Sequence, residues 1–173
     1  FANVALTLEV NGKIIVDDET FNQKKFLKEV EKSEEGPKSA CPSPNAYLDE
    51  ISGKADRVYI VTLSAELSGS YNSAVLAKNL YEEEHEDGKK IHIFNSRSAS
   101  VGETLIAQKI ADCEEDGMSF KDTVDTVEKY ISSQHTFFVL ESLETLRKTG
   151  RLSNLKARIA NTLNIKPIMG STD

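Results

Sequence analysis

The stretch from Val58 to Ala74 constrains the fold more than any other. Val58 to Leu63 is an unbroken, β-branched apolar run, which reads as a strand buried on both faces. It runs into a loop of small hydroxyl residues, Ser64 to Ser70. From Tyr71 to Tyr81 the apolar residues then recur at helical spacing, at Tyr71, Ala74, Val75, Ala77, Leu80 and Tyr81. A strand, a small-residue turn and a helix N-terminus make a site for an anion, because first-turn N–H groups and serine hydroxyls can all donate to a carboxylate or phosphate. Gly69 is expected to let a ligand approach the backbone. In the ordinary case such a Ser-Gly-Ser is only a turn and an N-cap.

The remaining elements follow in chain order. Asn11-Gly12 between Val4–Val10 and Lys13–Asp17 is a hairpin signal, since a type I′ turn needs positive φ at both central residues. Asp18 or Thr20 caps a helix with Phe21, Phe26, Leu27 and Val30 on its apolar stripe. A loop covers 33–37, and Ser39 stands in the Pro-rich segment after it, where a serine ordinarily bonds its own backbone. Ser43 and Pro44 start a helix that buries Tyr47, Leu48 and Ile51 and ends at Gly53. Ile91 to Phe94 is a second buried strand, followed by the polar loop Asn95 to Ser100 and a helix from Gly102 that stops at Asp116-Gly117. Ser119 caps a further helix with Phe120, Val124, Val127 and Ile131 inward. Thr136 to Leu140 reads as a third buried strand. Short helices are expected over 142–148 and 154–163, with a strand-like segment from Asn164 to Met169 limited by Pro167.

Strands alternating with helices predict an α/β protein with a largely parallel sheet flanked by helices, preceded by the hairpin. In such sheets ligands bind beyond the C-terminal strand ends. That rule places Ser64–Ser70 and Asn95–Ser100 on one edge. The expected division is an α/β domain over 1–145 and the start of a second, truncated α+β domain over 146–173. The non-Met Phe1 and an unpaired final strand suggest a piece of a longer chain.

Composition excludes several classes. A net charge of −7 argues against nucleic-acid binding. No apolar run approaches a membrane-spanning length, and a cytoplasmic protein is expected. Cys41 and Cys113 are in no metal-type spacing, and His85, His92 and His135 are scattered, so neither a metal nor a cofactor is expected. No Gly-x-Ser-x-Gly, P-loop or dinucleotide fingerprint occurs. An enzyme acting on a small phosphorylated or ester substrate through Ser64–Ser70 stays as the alternative. Arg147, Lys148 and Arg151 form a small basic cluster that could dock an acidic partner or simply offset a helix dipole.

Five segments in order carry a resemblance. Pro37 to Ser43 resembles a Thr-Ser-Gln-Pro-Ser loop, and Leu67 to Ala74 a Leu-Ser-Gly-Thr-Tyr-x-Ser-Ala segment. Asn95 to Gly102 resembles an Asp-Ser loop that ends in Gly. Leu146 to Leu152 and Leu163 to Ile168 match two later segments. The chain thereby resembles the DegV family of bacterial fatty-acid-binding proteins, the FakB-type subunits of fatty acid kinase. The resemblance implies a non-catalytic carrier in phospholipid metabolism. It would bury a long-chain fatty acid such as palmitate and present the carboxylate to a separate ATP-dependent kinase subunit. Carried over by position, the head-group donors are Ser39, Ser68, Gly69 through its N–H, and Ser70. Ser39 stands where the family has Thr, and Ala40 and Cys41 replace Ser and Gln, so any bonds those two make are lost. Burial of a palmitoyl-length tail offers on the order of 10 kcal/mol before ordering costs. A carboxylate held by neutral donors, without a tight salt bridge, stays open to a phosphoryl donor.

Overall fold

The computed structural model describes residues 1–140, 143, 166 and 168–170. The elements are β1 (Thr7–Val10), β2 (Lys13–Val16), α1 (Gln23–Lys32), β3 (Lys38–Ala40), α2 (Pro44–Ile51), β4 (Arg57–Thr62), α3 (Ser70–Glu84), β5 (Lys90–Asn95), α4 (Val101–Glu115), α5 (Phe120–Ser133), β6 (Phe137–Phe138) and β7 (Met169–Gly170). They fall into two units. One holds Phe1–Val4 and Cys41–Thr136; the other holds Ala5–Ala40 and Phe137–Gly170. The expected helices over 142–148 and 154–163, and the cluster Arg147, Lys148 and Arg151, lie outside the described residues.

The first unit is built on a parallel pair. β4 and β5 run in register from Arg57 opposite Lys90 to Thr62 opposite Asn95. Alternation then sorts the side chains to two faces. Val58, Ile60, Ile91 and Ile93 pack with Tyr47 and Ile51 of α2 and with Ala74 and Ala77 of α3. Tyr59, Val61 and Phe94 pack with Ile106 and Ile110 of α4 and with Val127 and Ile131 of α5. Helices thus cover both faces, as the α/β reading requires. Phe94, Ile106 and Val127 are fully buried, each adding roughly 1.5–3 kcal/mol relative to exposure. β4 is not sealed on both faces as expected: Val58 to Val61 are half-buried, and only Thr62 is fully enclosed.

Local chemistry sets the helix ends. Ser43 Oγ accepts the Ala46 N–H at 3.2 Å with Pro44 in the first turn, and Ser119 caps α5. Asp116 caps α4, and Gly117 follows with φ +72°. α2 ends at Ser52 rather than Gly53. Lys89 Nζ donates to the Ile51 carbonyl at 2.7 Å and to that of Gly53, neutralising the carbonyl end of the helix.

At the N-terminal end of β4, Arg57 donates to both oxygens of Glu114 and to the Met118 carbonyl, and Tyr59 donates to Glu114. The Tyr59 bond holds the Glu114 carboxyl below its ordinary range, with burial opposing and Arg57 assisting. A carboxylate with a folded pKa below its unfolded one adds stability above the unfolded pKa and loses it as pH falls through the folded value. Glu114→Gln is therefore expected to lower Tm by about 2 °C at neutral pH. The gap to wild type should close below about pH 4 in thermal melts. A gap unchanged at pH 3 would assign the effect to packing instead.

In the second unit β1 is central, antiparallel to β2 on one side and to β3 on the other. Asn11 (φ +50°) and Gly12 (φ +72°) form the predicted tight turn. The cap of α1 is Asn22, whose side chain accepts the Lys25 N–H at 3.0 Å. Asp18 does not cap the helix. It accepts from the Thr20 N–H and hydroxyl at 2.8 and 2.6 Å, a local turn one step upstream. Lys38–Ala40, expected as loop, is a strand, because β1 offers a second edge and sheet pairing outweighs the weak strand preference of Lys-Ser-Ala.

Thr136 to Leu140 is not a third buried strand. Only Phe137–Phe138 is extended; it pairs antiparallel with β7, and Phe137 is 71% exposed. An apolar run signals a demand for burial but does not name its partner. The parallel pairing among the described residues is therefore β4–β5, with the other two sheets antiparallel.

Candidate functional site

The C-terminal ends of β4 and β5 point the same way, so the loops that follow them meet. Ser64 N–H donates to the Ser98 carbonyl at 2.8 Å, and Ser96 N–H to the Thr62 carbonyl at 3.2 Å. Asn95 Oδ1 accepts from Ala65 N–H at 3.0 Å and Arg97 N–H at 3.2 Å, tying one loop to the other. The Ser96 hydroxyl donates to the Ser98 carbonyl and accepts the Ser98 N–H, and Ser98 Oγ lies 2.6 Å from Thr136 Oγ1. Ser64, Ser70, Ser96 and Ser98 are all at most 2% exposed. Their hydroxyls bond within and between the loops.

Two non-glycine residues of the second loop have positive φ: Arg97 at +50° and Ser100 at +58° with ψ −114°. Each such conformation costs of order 1–3 kcal/mol, and the bonds around Asn95 and Ser98 hold it in place. Ser100 N–H donates to Glu103 Oε1 at 2.9 Å across the start of α4. Burial pushes the Glu103 carboxyl up from its ordinary range, the Ser100 bond opposing.

Of the predicted donors, Ser68, Gly69 and Ser70 stand together at the start of α3. Ser68 Oγ is 2.9 Å from Ser70 Oγ and also accepts the Ser70 N–H at 3.3 Å. Ser68 is half-buried, its loop neighbour Leu67 exposed. Gly69 is the N-cap residue, with φ −70° and no side chain to offer the first turn. Its dihedrals suit any residue. The space is tight instead: a Cβ there would sit 3.0 Å from Cys41 Sγ, which would have to give by a few tenths of an ångström. That sulfur in turn is 3.8 Å from Ser73 Oγ. Ser39 belongs to the second unit, exposed on β3 opposite Leu8.

Sequence reasoning missed two residues. Asn95 joins the loops, and Arg97 brings an exposed cation into the second of them. Both were visible in the loop but read only as polar filler. The second unit carries a separate hollow of about 460 Å³ lined by Glu9, Val10, Asn11, Lys32, Glu34 and Lys38 among others, a charged wall poorly suited to an alkyl chain. Among the described residues no group of three or more His, Cys, Asp and Glu is placed to hold a metal ion, and no helix is long and apolar enough to cross a membrane.

Hydroxyl-rich loops, each leading into a helix, thus occupy the C-terminal edge of the parallel pair, the edge at which open α/β sheets take ligands. The sequence model of the DegV family matches residues 1–173. A DegV domain-containing protein of Streptococcus pneumoniae is 38% identical over 168 residues, 97% of this chain and 59% of that protein. A DegV-family crystal structure from Ruminococcus gnavus, refined with vaccenic acid, is 53% identical with a TM-score of 0.88, over 98% of this chain and 60% of that one. The fatty acid kinase (Fak) B3 protein of Streptococcus pneumoniae, loaded with linoleic acid, is 37% identical with a TM-score of 0.91 over the same shares. A Eubacterium eligens DegV-family protein loaded with heptadecanoic acid is 29% identical with a TM-score of 0.90, over 98% of this chain and 61% of that one. This chain belongs to the DegV family. It spans about 60% of the length of these relatives.

Proposed function

We propose that this protein binds a long-chain fatty acid and presents its carboxylate to a separate ATP-dependent kinase subunit, without catalysing the transfer itself. One observation carries the reading: three similar structures, one of them 53% identical, hold vaccenic, linoleic or heptadecanoic acid. The kinase step rests on the similarity to the Fak B3 protein. Ser68, with Ser70 behind it and the Gly69 N–H beside it, is the proposed head-group grip. Ser39 is proposed as a further hydroxyl donor. Leu67, Val101 and Leu105 stand exposed around the serine loops and supply apolar surface suited to an alkyl chain. Residues 1–145 are proposed as the lipid-binding domain, 146–173 as part of a second one, and the cytoplasm as the site of action.

Native mass spectrometry of the protein purified from bacterial cells tests this. The expected spectrum contains a mass increment of 250–300 Da, about that of a C16–C18 acid, which organic extraction removes. Protein that emerges empty and stays empty on incubation with palmitic, vaccenic and linoleic acids would overturn the reading. Ester hydrolysis by the protein alone, abolished by Ser68→Ala, would replace it with the enzyme alternative.

A further inference from the structure

The two serine loops carry two charged side chains, Glu66 in the stretch Ser64–Ser70 and Arg97 in Asn95–Ser100. Both residues are exposed. In a chain of net charge −7, Arg97 is thus the one cation that either loop offers. Ser96 and Ser98 on either side of it are at most 2% exposed, which leaves Arg97 as the outward residue between them. Arg97 holds φ at +50°, uncommon for a residue with a side chain, and its N–H donates to Asn95 Oδ1 at 3.2 Å.

Hydrogen bonds tie this post to the proposed head-group grip. Asn95 Oδ1 also accepts the Ala65 N–H of the first loop at 3.0 Å. The carbonyl of Ser98, next in the chain after Arg97, accepts the Ser64 N–H at 2.8 Å, and the Ser64 carbonyl accepts the Ser68 N–H at 3.1 Å. One residue, Ser64, therefore links the neighbour of Arg97 to Ser68. Ser68 is half-buried and Arg97 exposed, so the cation stands on the outer rim of the site.

The two kinds of donor suit different anions. Serine hydroxyls and N–H groups satisfy a carboxylate, with its single charge and two oxygens. A phosphoryl group carries about −1.5 to −2 charges at neutral pH and three acceptor oxygens. A guanidinium matches it with five donors in a planar fork, enough to keep a partner within the chain and still bond a phosphate. We propose that Arg97 is a specificity-determining residue of the serine site, one that favours a phosphorylated head group over a free carboxylate. The acid is gripped at Ser68, and the phosphoryl group, once attached, meets Arg97. The inference rests on the fatty-acid reading and adds to it the residue that tells the product from the starting acid.

The test measures the affinity of the full chain for palmitic acid and for hexadecyl phosphate, which share a chain length and differ at the head. Hexadecyl phosphate stands in for the acyl phosphate because its alkyl ester resists hydrolysis. Arg97→Ala is expected to weaken hexadecyl phosphate about tenfold, some 1.4 kcal/mol, and to leave palmitic acid within about twofold. Arg97→Lys keeps the charge without the fork and should recover part of the loss. Arg97→Gly takes the positive φ without strain; it should match the alanine variant, and it carries the test if that one does not fold. Added salt should weaken hexadecyl phosphate more steeply on wild type than on Arg97→Ala. Equal losses for the two ligands would show a loop-shaping role and overturn the proposal. So would an unchanged affinity for hexadecyl phosphate in the alanine and glycine variants, or a wild type that takes palmitic acid and refuses hexadecyl phosphate; both outcomes leave the fatty-acid reading standing. Wild-type protein that binds neither ligand overturns both.

Discussion

Gly102→Ala is expected to lower the thermal midpoint by roughly 4–8 °C, a loss of about 2 kcal/mol. Two effects compete. Gly102 lies in the first turn of α4, where alanine would gain about 1 kcal/mol of helix propensity in open space. The space is closed: a Cβ would overlap Ser98 Oγ and Gln134 Nε2 and come within 2.6 Å of Ser98 Cβ. Ser98 cannot step aside cheaply. Its hydroxyl is bound at Thr136, its carbonyl takes the Ser64 and Ser96 donors, and its N–H is held by Ser96. Overpacking of this kind costs 1–3 kcal/mol or somewhat more, so the clash wins. Circular-dichroism melts check it. A midpoint unchanged or raised would mean that Ser98 and Gln134 move freely, and that the two loops are less firmly joined than their bonds suggest.

Ser68→Ala is expected to weaken palmitic acid by about 10- to 100-fold, while Tm moves by less than about 2 °C. Ser68 is half-buried, and its hydroxyl is the outermost of the serine chain. Its removal takes a donor from a charged head group, a bond worth roughly 1.5–3 kcal/mol. The core of the unit does not depend on it. Titration with a displaceable fluorescent fatty acid, on full chain and variant alike, reads the loss. Unchanged affinity with unchanged stability would remove Ser68 from the site.

What could be read from the residues was what neighbours in sequence decide. Asn11-Gly12, Ser43-Pro44, Ser119 and Asp116-Gly117 set their turns and caps through dihedral preference and one short hydrogen bond each, and those elements fall where expected. The meeting of the two serine loops was legible as well, since parallel strands necessarily send their loops to the same end. Lys38–Ala40 and Phe137–Phe138 were misread because their pairing depends on β1 and β7, far away in the chain. At the site, hydroxyl identity was visible but hydroxyl wiring was not. That Gly69 faces the sulfur of Cys41 depends on packing between segments far apart in the chain. Arg97 stands exposed in the second of the two loops.

The two thiols have opposite fates. Cys113 is 1% exposed inside the α4–α5 core, whereas Cys41 is open to solvent with its sulfur against Gly69. A thiol-reactive dye will therefore attach at one position without any cysteine being engineered. That position abuts the turn that carries Ser68, so the protein comes with a built-in address for a fluorophore beside the proposed head-group grip.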